Sequence, residues 1–205
     1  MAKRTAPKRA PSRACPGRPA DQRQIERAVT ALLRAVGEDP GREGLRDTPG
    51  RVARMYQEIF SGMWADAAEE LKVYRVKNED EMILVRDIDF YSMCEHHLLP
   101  FFGQVHIAYI PRRNRITGFS SLVKVVESMA RRLQLQERLA ADIADMLVAR
   151  LNPLGVLVVI EAEHLCLTMR GVKKPGSKVV TSAIRGGMKR ESTRLEALSL
   201  IHGKV

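Results

Sequence analysis

The stretch "SMCEHHLLP", Ser92 to Pro100, holds one of three cysteines and two of five histidines in the chain. Cys94 and His97 are three residues apart, so a thiolate and an imidazole converge on one ion if the segment turns, and both are good zinc ligands. Two ligands make a poor site, and few residues are available to complete it. Cys15 lies near the N-terminus, His202 near the C-terminus, and His106 in the middle of an apolar run; "EHLC" offers His164 and Cys166. Cys94, His97 and Cys166 together give three ligands and leave a fourth position for water, the pattern of a catalytic metal; a fourth ligand from His96 or His164 would close the site as a structural one. Spacing leaves both open. Whichever histidines do not ligate are suited to carry protons near neutral pH or to hold a ligand in orientation.

These residues need elements to position them. Gly155 opens the expected longest strand, "VLVVIEAEHLCLTMRG", in which Ala162, His164, Cys166, Thr168 and Arg170 would share one face and continue the apolar set Val156, Val158 and Ile160. A hydrophobic face that turns into His, Cys, Thr and Arg suits the mouth of a site. Upstream, Met82 to Asp89 and "QVHIAYIP" read as strands, the second ended by Pro111. Asp21 is placed to cap a helix through about Val36, with Ile25, Val29, Leu32, Leu33 and Val36 on one face. Asp47 or Thr48 caps a second helix with Pro49 in its first turn. Two helices lie between Ser120 and Leu151, striped by Val123, Val126, Met129, Ala130 and Leu133 and by Leu139, Ile143, Met146, Leu147 and Leu151; Asn152-Pro153 stops the second. A basic, glycine-containing segment then leads to a last helix near Arg190 to Ile201. The predicted class is α+β, with helices on one face of a mostly antiparallel sheet.

The totals set bounds. A chain of 205 residues, 45% hydrophobic, is long enough for one buried domain. No apolar run approaches the roughly 20 residues needed to cross a bilayer, and the first residues lack the apolar core of a secretory signal. Three widely spaced cysteines do not form a disulfide framework, so a reducing cytoplasm is expected. Of the net charge of +10, six charges sit in residues 1–20, which hold no acid and four prolines. That stretch is expected to be a disordered tail, with residues 21–205 as the single domain, its helices at about 21–62 and its sheet part at about 80–201. The tail offers an electrostatic surface for nucleic acid, but a solvated extension is the simpler expectation.

Four segments, "EDPGREGLRDTPGRVARMY", "SMCEHHLLPFFG", "QLQERLA" and "EAEHLCLTMRGV", resemble the characteristic segments of the GTP cyclohydrolase I family, in its order and spacing, over Asp21 to Ile201. The resemblance implies that GTP is opened at C8, formate is released, and the ring recloses to 7,8-dihydroneopterin triphosphate, for a pterin, folate or deazapurine pathway. It implies Zn2+ on Cys94, His97 and Cys166, with His96 and His164 as proton carriers. Glu137, with Gln136 beside it, matches the guanine reader: one carboxylate accepts the adjacent N1–H and 2-amino donors. Arg170 resembles a triphosphate ligand, as do Ser120 and Lys124, and Arg51 matches one supplied by a neighbouring subunit. The implied fold is the tunnelling fold, in a homo-oligomer of two pentameric rings.

One departure stands out. Where the family usually reads Gly-Leu-Ser-Lys this chain has Gly118-Phe119-Ser120-Ser121, and Lys124 replaces an arginine. The lost cation at Ser121 is worth about 1.5–3 kcal/mol, or about ten- to a hundredfold in affinity, unless Lys173 or Lys174 compensates. It motivates a second reading, a paralogue acting on another purine. A third is a non-catalytic zinc-stapled module whose tail binds nucleic acid; the lack of aromatic stacking clusters argues against it.

Overall fold

The computed structural model describes residues 20–77 and 81–203. The tail expected to be disordered spans residues 1–20, all of which but Ala20 lie outside the described part. In chain order the elements are α1 (Gln22–Ala35), α2 (Thr48–Ile59), α3 (Ala67–Glu70), β1 (Val73–Arg75), β2 (Ile83–Cys94), β3 (Pro100–Ile110), β4 (Arg115–Thr117), α4 (Phe119–Ala130), β5 (Leu133–Gln134), α5 (Gln136–Leu151), β6 (Gly155–His164), α6 (Leu165–Thr168), β7 (Lys178–Gly186) and α7 (Glu191–Ile201). A five-stranded sheet runs β5-β2-β3-β6-β7, and β1 pairs with β4 separately. Every pairing is antiparallel except β5 on β2, so the expected α+β class and mostly antiparallel sheet are observed.

The main core lies between the sheet and the pair α4 and α5. Phe101, Val105, Ile107 and Tyr109 of β3 and Val156, Val158 and Ile160 of β6 meet Leu122, Val125 and Val126 of α4 and Leu139, Ile143 and Leu147 of α5. The alternate β3 and β6 residues face the other way, where Ala108, Leu157 and Val159 pack under Met188, Ala197 and Ile201 of the C-terminal region. Period-two alternation therefore feeds two layers, and α7 covers a face that the sequence reading left open. Full burial of each such leucine, isoleucine or valine contributes about 1.5–3 kcal/mol.

Asp21 caps α1 as expected, its carboxylate accepting the Gln24 N–H at 3.1 Å. Of the five apolar residues assigned to one face of α1, only Val29 is buried; Leu32 and Val36 remain 61% and 67% exposed. Asn152 ends α5 in the left-handed region (φ 48°) just before Pro153.

The strand from Gly155 is shorter than predicted. It stops at His164, and Leu165–Thr168 form one helical turn. The register explains the break: Phe101 pairs with His164, so the next partner of β6 is Pro100, which has no N–H to donate. On the other edge β7 begins opposite Glu163. Beyond His164 the chain has no ladder to join, and Cys166, Thr168 and Arg170 do not continue a strand face. At 12 residues β2 is longer than β6, at 10. The basic segment before α7, read only as a connection, contains the whole of β7.

Candidate metal and proton-transfer site

The β2–β3 hairpin builds the first part of the site. Cys94 ends β2 and is buried, at 5% exposure. Its N–H donates to Leu99 O and its carbonyl accepts from Leu98 N–H, both at 2.9 Å, closing a turn that presents His96 and His97 outward. Leu98 takes φ 52° to complete that turn. The two rings lie edge to face, with centroids 6.2 Å apart.

The helical turn of α6 brings in Cys166. The two cysteine Sγ atoms and one ring nitrogen of His97 all lie within 4.8 Å of one another. A tetrahedral zinc with Zn–S near 2.3 Å and Zn–N near 2.05 Å would separate such atoms by about 3.5–3.8 Å, so small side-chain rotations reach that geometry. Two soft sulfurs and an imidazole suit zinc, and among the described residues no fourth His, Cys, Asp or Glu belongs to the group. Burial pushes the Cys166 thiol above its ordinary value; the neighbouring Cys94 adds to this and Arg170 opposes it. Arg170 is exposed on the loop after α6, not on a strand face shared with Cys166.

His164, the last residue of β6, stacks flat on Phe101, with centroids 4.6 Å apart and ring planes 3° from parallel. Its Nε2 lies 2.7 Å from Gln136 Oε1. Burial pushes its imidazole below the ordinary value, and the nearby Glu137 carboxylate pulls against that. Glu137 itself is exposed in the first turn of α5. The Gln136 side chain points inward and is held by β6 and β7.

Three ties hold the start of α5 against the hairpin. Cys94 pairs with Gln134 in the short parallel β5 contact, Glu95 N–H donates to Gln134 O at 3.2 Å, and Arg138 grips Glu95 with two bonds of 2.6 and 2.9 Å. Arg138 holds the Glu95 carboxyl below the usual carboxylate range. Sequence reasoning missed this pair, although Glu95 sits inside "CEHH" and Arg138 inside "QER". It missed Phe101 and Thr181 as well.

The residues expected at phosphate lie apart. Ser120 and Lys124 are exposed on α4, Lys124 within 3.5 Å of Glu70. Arg51 is exposed on α2 beside Asp47. Among the described residues no hydrogen bond or ion pair links these three to the cysteine pair. Ser121 is buried, at 8% exposure, on the core side of α4.

Comparison with known proteins fits this arrangement. The family described as GTP cyclohydrolase I matches residues 25–202. "GTP cyclohydrolase 1" of Pelotomaculum thermopropionicum is 60% identical over 186 residues, covering 90% of this chain and 99% of that protein. The protein of the same name from Carboxydothermus hydrogenoformans is 60% identical over 182 residues, covering 88% and 95%. A crystal structure of the archaeosine synthase QueF-Like in the apo form aligns with a TM-score of 0.42 at 25% identity, over 52% of this chain and 94% of that one. The chain belongs to the GTP cyclohydrolase I family of enzymes.

Proposed function

We propose that this enzyme hydrolyses GTP at C8, releases formate and recloses the ring to 7,8-dihydroneopterin triphosphate, with zinc held by Cys94, His97 and Cys166. The observation that carries this reading is the convergence of those three donors, two residues along the chain from the half-buried, amide-anchored His164. Zinc, when bound, supplies Lewis acidity and lowers the pKa of water. His164 gives a proton to the imidazole ring of the purine as its C8–N bond yields. The exposed His96, next to His97 on the turn, takes up the proton lost by the attacking water. In such an exchange an imidazolium gives the proton and a neutral imidazole takes one up, the two forms that histidine side chains interchange in proton transfer.

Glu137 accepts the guanine N1–H and 2-amino hydrogens, and the Glu95–Arg138 tie fixes its helix relative to the metal ligands. Arg170 contacts the triphosphate from the loop after α6. Ser120, Lys124 and Arg51 complete phosphate binding from α4 and from a neighbouring subunit of a ring-forming homo-oligomer, so their separation within one chain is expected. The tunnelling fold, a decameric assembly, one catalytic domain over 21–205 and a cytoplasmic site of action belong to the same reading. No helix of the described residues is long and apolar enough to cross a membrane.

Formate release and pterin fluorescence from purified protein and GTP test the proposal, with chelation and zinc add-back. Metal-dependent formate with a pterin product supports it. Stoichiometric zinc with neither product at millimolar GTP would overturn it. Ser121 in place of a cation motivates the alternative of altered phosphate or purine preference; GDP and GMP measured beside GTP test the phosphate preference, and ATP and ITP the purine.

A further inference from the structure

Gln136 stands beside the proposed guanine reader, yet its side chain is 2% exposed. Its Nε2 lies 3.0 Å from Ile160 O, 2.9 Å from Val179 O and 3.1 Å from Thr181 Oγ1. Main-chain carbonyls only accept hydrogen bonds, so the two amide hydrogens must point at them. The reversed amide would press Oε1 against two carbonyl oxygens in a buried site, acceptor against acceptor. The amide therefore has one orientation. Its Oε1 faces His164 Nε2 at 2.7 Å, and because an amide oxygen only accepts, that ring nitrogen must carry a hydrogen. The flat stack on Phe101, the register partner of His164 on β3, restricts the ring from tilting away.

We propose that Gln136 is a positioning residue that holds His164 as its Nε2–H tautomer, leaving Nδ1 as the nitrogen that exchanges a proton with the substrate. The neutral ring then accepts a proton at Nδ1 and the imidazolium returns it from Nδ1, while the Nε2–H bond to the amide persists in both states. The amide oxygen also stabilises the cation when it forms. This rests on the reading of His164 as a proton carrier. It gives the carboxamide a task different from binding guanine, and it makes the proton transfer depend on β7, which contributes Val179 and Thr181.

The test uses the full-length, zinc-loaded enzyme and three variants: Gln136→Met, His164→Ala and both together. Gln136→Met keeps similar bulk and removes donors and acceptor at once. The expected result is zinc stoichiometry unchanged, KM for GTP within about twofold, and kcat lowered about 10- to 100-fold, the loss usual for a partner that orients a catalytic ring. In the His164→Ala background the same change should cost nothing further. Multiplying losses, an unchanged kcat, or a raised KM at constant kcat would each overturn the assignment. Wild-type turnover by His164→Ala would instead defeat the proton-carrier reading itself. If the methionine variant fails to fold, solid-state 15N spectra of the wild-type ring, assigned by difference from His164→Ala, still decide. A protonated Nε2 with a bare Nδ1 in the neutral ring is expected, and the opposite tautomer refutes the proposal.

Discussion

Replacing Glu95 by Gln should loosen the link between the turn that carries Cys94 and His97 and the helix that carries Glu137. In the native chain Arg138 grips Glu95 through two bonds, 2.6 and 2.9 Å long, with both side chains about one-third exposed (31% and 29%). Hydrogen bonds to charged groups are worth about 1.5–3 kcal/mol when well buried, and exposed ion pairs about 0.2–1 kcal/mol. A bidentate pair of intermediate exposure should therefore contribute about 1–2 kcal/mol. At 1.4 kcal/mol per decade that is about 5- to 30-fold in the population of aligned sites. Glu95→Gln and Arg138→Met should each weaken zinc affinity and lower kcat/KM by about that factor. The remaining ties, the Glu95 N–H bond to Gln134 and the β5 contact, prevent full collapse. Competition with a chromophoric chelator gives zinc affinity, and initial rates of formate release give kcat/KM. The double variant completes a thermodynamic cycle with an expected coupling near 1–2 kcal/mol. Unchanged affinity and rate in both single variants, or strictly additive losses, would refute the clamp.

Other consequences follow from packing and charge. A Cβ added at Gly103 would sit 2.0 Å from Glu161 O and 2.7 Å from Ala162 Cα, both main chain. Gly103→Ala should therefore cost about 1–3 kcal/mol or more and lower kcat, since β6 must shift two residues before His164; an unchanged Tm would contradict this. Leu147→Ala empties a fully buried core position and should cost about 2–5 kcal/mol in urea unfolding, with KM for GTP retained. Burial pushes the His106 imidazole below its ordinary value, against the pull of Asp87 and Glu161 and with the help of His202 and Arg86. The folded chain thus binds this proton less readily than the unfolded chain. The stability contributed is complete above about pH 6.5 and is lost as pH falls below it. Unfolding free energies between pH 8 and 5 should fall less steeply in His106→Gln, and equal slopes would rule the group out.

Rarity of Cys and His narrowed the candidate ligands to Cys94, His97, Cys166 and the neighbouring histidines, and the structure brings the first three together; spacing alone had left the choice among them open. Helices α1, α2, α4 and α5 were readable from cap residues, apolar spacing and breaks, Asp21 and Asn152-Pro153 being the clearest, although only Val29 of the α1 stripe is buried and Leu133, counted with the α4 stripe, lies on β5. What failed was extrapolation across a boundary. Strand alternation placed His164 and Cys166 on one face, but a strand extends only while neighbours offer hydrogen bonds, and the proline opposite Leu165 is visible only once the register is known. β7 was hidden for a related reason: in "KVVTSAIRG" the alternating residues are mostly half-buried or exposed, as suits an edge strand. The inward turn of Gln136 left no sequence signal, because its partners are carbonyls of Ile160 and Val179, which any residue would supply.

The sheet order also dictates the sequence in which the site comes together as the chain folds. Cys94 and His97 need only the local β2–β3 hairpin, whereas Cys166 lies 72 residues beyond Cys94 and arrives only when β6 zips onto β3. His164 closes the far end of that same ladder, opposite Phe101. Gln136 finds its last acceptors later still, once β7 has joined β6. Pairings this distant in sequence form slowly, after the cost of closing the long α4–α5 excursion has been met. Until β6 and β7 join the sheet, the chain brings together two of the three candidate donors and lacks the Ile160 and Val179 carbonyls that anchor Gln136 beside His164. Completion of the site reports completion of the fold.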